Sequence, residues 1–268
     1  MRVCEWSRFM AAPAGGIGGE KTALTVGVFD GVHRGHQALI GRIVREAPAC
    51  IPAVVTFKQN PKQVLRPETY RGDIVSPRRK MRIFEELGVK LVILIDFSAN
   101  FSKLSGREFI DALRERGNPA YAVIGSNFHC GHNLDTDALR FKELNRRAGI
   151  RTEVVPPVAE GDLPVSSSRI RAAISRGELD TAAALLGRRV ELDVAGLDAR
   201  PREGGVFYDT RSHSRIIPPP GRYAAVLRGE DGSGDIEAEV LVEEAGVLVP
   251  VPGGAGRIEF LHIDGAAR

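Results

Sequence analysis

The chain has 268 residues, 43% hydrophobic and 26% charged, which is enough for a packed core without disulfides or metals. Its net charge of +3, from 37 basic and 34 acidic residues, is too weak to argue for a nucleic-acid or membrane partner. Three widely spaced cysteines, Cys4, Cys50 and Cys130, imply no disulfide framework and fit a reducing, cytoplasmic setting.

The run from Met10 to Gly19 carries Pro13 and four glycines, so it lacks the unbroken apolar core of a secretory signal and reads as a mobile loop. It follows no strand and lacks the spacing of a dinucleotide fingerprint. No stretch approaches the roughly 18 apolar residues of a membrane helix. From there short apolar runs alternate with helical patterns. Leu24–Val28 reads as a strand, and His36–Glu46 as a helix with Leu39, Ile40, Ile43 and Val44 on one face. Ile51–Phe57 is a second strand. Pro77–Leu87 is a helix with Ser76 as N-cap and Pro77 at its first position. Leu91–Ile95 is a fully apolar strand, and Ser105 with Glu108 opens a helix to Arg116 at capping-box spacing. Tyr121–Ile124 and Arg151–Val155 are further strands, separated by a helix over Asp135–Ala148. Two short helices follow, Ser167–Arg176 and Leu179–Leu186. This alternation predicts an α/β domain, a Rossmann-like parallel sheet covered on both faces, over residues 1–187. Its ligands belong at the carboxyl ends of the strands.

After Gly187 the pattern becomes all-β. Val190–Leu197, Tyr223–Leu227, Ile236–Leu241, Val247–Val251 and Arg257–Ile263 read as strands, separated by turn-rich stretches such as Pro218–Gly221, Gly229–Gly234 and Pro252–Gly254. Residues 188–268 are therefore expected to form a small β domain, a barrel or a sandwich. No signal bears on oligomeric state.

The strongest chemical signal is Gly27-Val-Phe29-Asp30-Gly31-Val-His33-Arg-Gly35-His36, which follows a strand and opens a helix. Two histidines three apart at a helix start share a face and sit among orphan N–H donors, under the positive end of the helix dipole. That suits a polyphosphate. Gly27 and Gly31 let the backbone approach a ligand. His-x-x-His with Asp30 also offers metal donors, but a zinc site wants a further Cys or His nearby. A plain strand-turn-helix with surface histidines is the third reading.

This segment resembles the HxGH signature of the nucleotidylyltransferase superfamily. In its longer form it resembles the FAD synthetase part of bacterial bifunctional riboflavin kinase/FMN adenylyltransferases. The resemblance runs from about Leu24 to Gly187, and weakly beyond. The segment Thr56-Phe57-Lys-Gln59-Asn60-Pro61 matches a family loop, T-F-x-P-H-P, that lies close to nucleotide and flavin; Gln59 and Asn60 depart from it. Gly125-Ser-Asn127-Phe128-His129-Cys130-Gly131 resembles G-x-[DN]-F-x-F-G. It implies Asn127 on the adenosine part and Phe128 near the ring systems, with Cys130 in place of an aromatic and Leu134 in place of a basic residue. His129-Cys-Gly-His132 gives at most three metal ligands in a cramped loop. Ser166-Ser167-Ser168-Arg169-Ile-Arg171 resembles I-S-S-T-x-I-R, with serines at a helix start and a guanidinium fork for phosphate oxygens.

The resemblance implies an enzyme moving AMP from ATP onto FMN to give FAD, with Mg²⁺ as cofactor. His33 and His36 would bind the α/β-phosphate bridge, and Ser167, Ser168 and Arg171 the β/γ end. Catalysis is thereby assigned to His33, His36, Ser167 and Arg171. ATP binding is assigned to Gly27, Phe29, Asp30, Gly31, Asn127, Ser166, Ser168 and Arg169, and the flavin to Phe57, Asn60, Pro61 and Phe128. In the family a riboflavin kinase barrel follows, with G-R-x-L-G-F-P-T-A-N at its nucleotide site. The corresponding stretch here, Gly205–His213, does not match it. Pro219–Val226 and Ile258-Glu259-Phe-Leu-His262-Ile-Asp264 do resemble other barrel segments, Glu259 standing where the kinase base lies. A shortened barrel without kinase activity is expected. The alternatives are the bifunctional enzyme, a nucleotidyltransferase for another phosphorylated acceptor, and a non-catalytic flavin- or nucleotide-binding relic.

Overall fold

The computed structural model describes residues 1–13, 19–47, 49–97, 101–211, 213–229, 234–250 and 255–261. The loop at 14–18, the turn at 252–254 and the end of the last motif, His262 to Asp264, lie outside the described residues. The chain divides into two compact units, Met1–Glu68 with Met81–Ala159, and Thr69–Lys80 with Glu160–Arg268. The units part elsewhere than at Gly187, which lies inside the second.

In the first unit six parallel strands form one sheet: β1 Arg2–Glu5, β2 Thr22–Val26, β3 Ile51–Phe57, β4 Leu91–Ile95, β5 Pro119–Gly125 and β6 Arg151–Val155. Their order is β1-β4-β3-β2-β5-β6. Side chains alternate along each strand. Leu24, Val26, Ala53, Val55, Leu91, Ile93, Ala122 and Ile124 join one core cluster. Phe9, Phe109, Ile110, Leu113, Phe141 and Leu144 join it, from helices α1 Trp6–Ala11, α5 Gly106–Gly117 and α6 Ala138–Arg147. Helix α2, Arg34–Arg45, packs on β2, β3 and β5 through buried Leu39, Ile40 and Ile43. The remaining helices are α3 Pro61–Leu65, α4 Pro77–Glu86, α7 Ser167–Ser175 and α8 Leu179–Leu186.

Local chemistry sets the helix starts. Ser105 and Glu108 form the expected capping box on α5, and Ser76 accepts from the Arg79 N–H at 3.0 Å to open α4. The helix expected from Asp135 starts instead at Ala138, because Asp137 is the cap that accepts from the Arg140 N–H. The strand expected to run to Val28 ends at Val26, since Phe29 has a left-handed backbone and the Thr56 hydroxyl donates to the Val28 carbonyl.

The second unit carries α7 and α8 and a seven-stranded antiparallel sheet curled into a half-barrel, not a sandwich. Its strands are β7 Val190–Asp193, β8 Asp198–Arg202, β9 Gly205–Asp209, β10 Gly221–Arg228, β11 Ile236–Glu243, β12 Gly246–Val249 and β13 Arg257–Phe260. Their order is β7-β13-β10-β11-β12-β9-β8. Sequence periodicity missed β8 and β9. Every residue of β8 is exposed, and Pro201 removes a ladder donor, so this edge strand shows no alternation.

Candidate active site

Strand β2 is the switch point of the parallel sheet. Its successor β3 lies on one side and β5 on the other, both parallel to it. The loops leaving the carboxyl ends of β2 and β5 therefore flank one crevice, the usual ligand position in such sheets. These loops carry the Gly27–His36 and Gly125–Phe128 motifs.

The first loop is bent hard. The Gly27 N–H donates to the Val55 carbonyl at 3.1 Å, and a Cβ on Gly27 would stand 3.2 Å from the Phe29 ring. Phe29 (φ +53), Gly31 (φ +79) and Val32 (φ +40) all take left-handed backbone. That region is open to glycine but strained for a β-branched valine. The turn is held by the Gln37 side-chain amide, which donates to the Val32 carbonyl at 2.9 Å. Phe29 is fully buried, with its ring near-perpendicular to Phe84 at 5.7 Å and inclined at 63° to His36 at 5.1 Å.

His33 is the N-cap of α2. Its Nδ1 accepts from the His36 N–H at 3.4 Å, which leaves the ring proton on Nε2. The two imidazoles stack at 3.6 Å with planes 16° from parallel. Gly35 makes room for them: a Cβ there would lie 3.2 Å from the His33 Cε1. Imidazole donors and the first N–H groups of a helix thus converge at one strand end, an arrangement that suits an anion. His33 and Asp30 are both buried.

At the end of β3, Asn60 is spent on local structure. Its side-chain oxygen accepts from the Lys62 N–H at 3.2 Å and caps α3, with Pro61 at the first helical position. Phe57 is half-buried and makes edge contacts with Phe97 at 5.8 Å and Phe101 at 5.9 Å; Phe101 continues to Trp6 at 5.4 Å. Sequence reading found Phe57 but missed this aromatic chain, whose signal was two phenylalanines just past the apolar run of β4.

At the end of β5, Asn127 is exposed and folds back, its oxygen 3.0 Å from where a Gly125 Cβ would sit. Phe128 packs edge-on against Phe141 at 5.1 Å and belongs to the margin of the core. Burial, with Asp135 adding to it, pushes the Cys130 thiol up to about 12, so it is an inert thiol. Among the described residues no three His, Cys, Asp or Glu side chains are grouped to hold a metal ion.

The serine motif belongs to the second unit. Ser166 is the N-cap of α7, accepting from the Arg169 N–H at 3.3 Å, with Ser167 and Ser168 at the first two helical positions. Arg169 is turned to structure: its Nη1 donates to the Leu163 and Pro164 carbonyls, each at 2.8 Å. Arg171 donates through Nε to the Gly72 carbonyl at 2.6 Å. No motif in the sequence pointed to Gly72.

Residues 18–169 match the FAD synthetase family. The bifunctional riboflavin kinase/FMN adenylyltransferase of Bacillus subtilis (strain 168) is 31% identical over 220 residues, 78% of this chain and 69% of that protein. The protein of the same description from Pseudomonas fluorescens is 34% identical over 172 residues, 61% of this chain and 53% of its own length. The FAD synthetase of Listeria monocytogenes serovar 1/2a is 31% identical over 166 residues, 61% of this chain and 68% of that one. Among solved structures, a Streptococcus pneumoniae protein described as a macrolide-efflux protein superposes with a TM-score of 0.77 at 22% identity, covering 99% of this chain and 93% of that one. That last likeness is one of fold.

Proposed function

The chain belongs to the FAD synthetase family of nucleotidyltransferases, and on that footing we propose that it makes FAD from FMN and ATP in the cytoplasm. An oxygen of the FMN phosphate attacks the α-phosphorus of ATP. The bond from that phosphorus to the bridging oxygen breaks, and pyrophosphate leaves with the electron pair. The nucleophile is already ionised near neutral pH, so no general base is needed. Catalysis reduces to aligning two anions and stabilising charge on the pentavalent centre.

The observation that carries this reading is the stacked pair His33 and His36 at the start of α2, on the switch-point strand. In it, His33 and His36 meet the α/β-phosphate bridge. Gly27, Phe29, Asp30 and Gly31 shape the turn around the nucleotide, and Asn127 meets its adenosine end. Ser167, Ser168 and the Nη donors of Arg171 hold the departing pyrophosphate. Phe57 offers a ring face to the flavin, while Asn60 and Pro61 set the course of the chain beside it. Mg²⁺ is proposed to arrive on the ATP. The described residues form no metal-holding cluster of their own, and Mg²⁺ carried by substrate phosphates usually needs only about one or two protein carboxylates. When bound it neutralises phosphate charge. A cytoplasmic setting agrees with three free cysteines; no helix of the described residues is long and apolar enough to cross a membrane.

We further propose that riboflavin kinase activity is absent. Glu259, at the position of the kinase base, is buried between two guanidinium groups, with Arg228 Nε at 2.7 Å and Arg257 Nη2 at 2.9 Å. Both of its carboxylate oxygens are engaged by arginines, which supports a structural role for this strand residue. The test is to incubate the protein with ATP, Mg²⁺ and either FMN or riboflavin and to separate the flavins by chromatography. FAD from FMN alone is the expected result. FMN from riboflavin would restore a bifunctional enzyme, and no product from either flavin would turn the search to another phosphorylated acceptor.

A further inference from the structure

The second unit contains a segment, Thr69–Lys80, that is fastened at both ends of its length. Near its start the Asp73 N–H donates to the Ser214 carbonyl at 2.7 Å and the Ile216 N–H donates to the Asp73 carbonyl at 3.0 Å. Gly72 takes φ +91, and a Cβ there would stand 2.9 Å from the Arg215 carbonyl carbon, so the two backbones touch. Near its end Ser76 Oγ donates to Asp193 Oδ2 at 2.6 Å, and Arg78 reaches both Asp193 oxygens, at 2.5 and 3.2 Å. Arg79 pairs bidentately with Glu191 at 2.6 and 3.0 Å, both side chains buried. The Arg215 guanidinium donates to the main-chain oxygen of Asp193. All these partners come from β7 or from the segment before β10.

Buried ion pairs stabilise a fold no better than apolar packing of the same volume, but they fix register and orientation. Two arginines and a serine on one short segment, matched to two acids on one strand, are a device for placement. What is placed is the Gly72 carbonyl, the acceptor that holds Arg171 by its Nε at 2.6 Å. A bond at Nε fixes the plane of the rigid guanidinium group.

We propose that the C-terminal sheet serves adenylyl transfer as a clamp, with Asp193 a positioning residue that acts through Ser76, Arg78 and Gly72 to orient Arg171. This rests on the reading of α7 as the arm that holds pyrophosphate. The sheet therefore has work to do whether or not it phosphorylates riboflavin.

The test is a double-mutant cycle in the full-length protein with D193N and R171A, reading KM for ATP, kcat, and hydrogen exchange at the Asp73 and Ile216 amides. D193N is expected to raise KM for ATP about tenfold with a smaller change in kcat, and to add little once Arg171 is gone. It is also expected to speed exchange at both amides. Equal D193N effects with and without Arg171, or unchanged exchange at both amides, would overturn the clamp. An R171A protein with unaltered KM for ATP would instead overturn the α7 reading and take the clamp with it, even if exchange had quickened. Should D193N fail to fold, S76A removes one bond from the same chain of contacts and is read in the same way.

Discussion

The imidazoles of His33 and His36 lie face to face, 3.6 Å between centroids. Because His33 Nδ1 accepts at the cap of α2, its ring proton sits on Nε2, the nitrogen proposed to meet a phosphate oxygen. His36 also makes an edge contact with the Phe29 ring. A pair fixed in this way costs no reorganisation when charge develops on the phosphate. His36→Ala is therefore expected to lower kcat by about 10²–10³-fold, the scale of losing one preorganised donor. ATP binding should weaken far less. Steady-state kinetics alongside titration with a non-hydrolysable ATP analogue measures both, and equal losses would contradict a transition-state role.

Gly35 separates stability from function. It occupies the second position of α2, where alanine is the better helix former by about 1 kcal/mol. Its added Cβ would stand 3.2 Å from Cε1 and 3.3 Å from Nδ1 of His33, tighter than ordinary contact, so the ring must shift. Gly35→Ala is expected to leave Tm unchanged or raised while lowering FAD formation at least tenfold, a loss of about 1.4 kcal/mol of transition-state stabilisation. A variant as active as the parent would show that the ring position is not critical.

The parallel sheet and its chemistry were legible because they are local. Apolar runs such as LVILI, the capping pair Ser105 and Glu108, and the histidine and serine motifs each announce themselves within a few residues. The edge strand Arg2–Glu5 and helix Trp6–Ala11 were not, being too short for a period to emerge. The fastening of Thr69–Lys80 was invisible for another reason. Arg78 and Asp193 are 115 residues apart, and Pro77-Arg-Arg-Lys80 reads as an ordinary solvated helix start until its acids are found on β7. Site roles blurred where a polar side chain served the backbone. Asn60 and Arg169 suit a ligand, yet the structure gives the Asn60 side-chain oxygen to a helix cap and the Arg169 Nη1 to two carbonyls.

Asp193 also predicts a pH dependence. Burial works to raise its pKa, but hydrogen bonds from Arg78 and Ser76, with the charges of Arg78 and Arg215, outweigh burial and hold it below the ordinary 3.8. A carboxylate depressed in the folded state contributes stability that is present above its unfolded pKa and lost as pH falls through the folded value. Below pH 3.8 the parent should thus lose stability faster than D193N, while at neutral pH it should be the more stable of the two. Urea unfolding from pH 6 downward measures both slopes, and parallel curves would refute the assignment.

Tyr121 gives the matching test at the alkaline end, and on the element that carries the histidines. Its hydroxyl donates to Glu153, which also accepts from Arg42 of α2 at 2.7 Å, while Arg151 lies 3.9 Å over the Tyr121 ring and pairs with Glu46 at 2.6 Å. Helix α2 is thereby braced against β5 and β6. Burial first, and then the bond to Glu153, push the Tyr121 phenol from 10.0 up to about 12. A raised pKa favours the protonated form, so this brace contributes stability that is complete below pH 10 and lost as pH rises towards 12. The difference in phenolate absorbance between the parent and Tyr121→Phe should accordingly show a midpoint near 12. Over the same interval the parent should lose stability more steeply than the variant. A midpoint at the ordinary value for tyrosine would mean that the phenol is not held by Glu153, and that α2 is braced only through Arg42 and the Arg151–Glu46 pair.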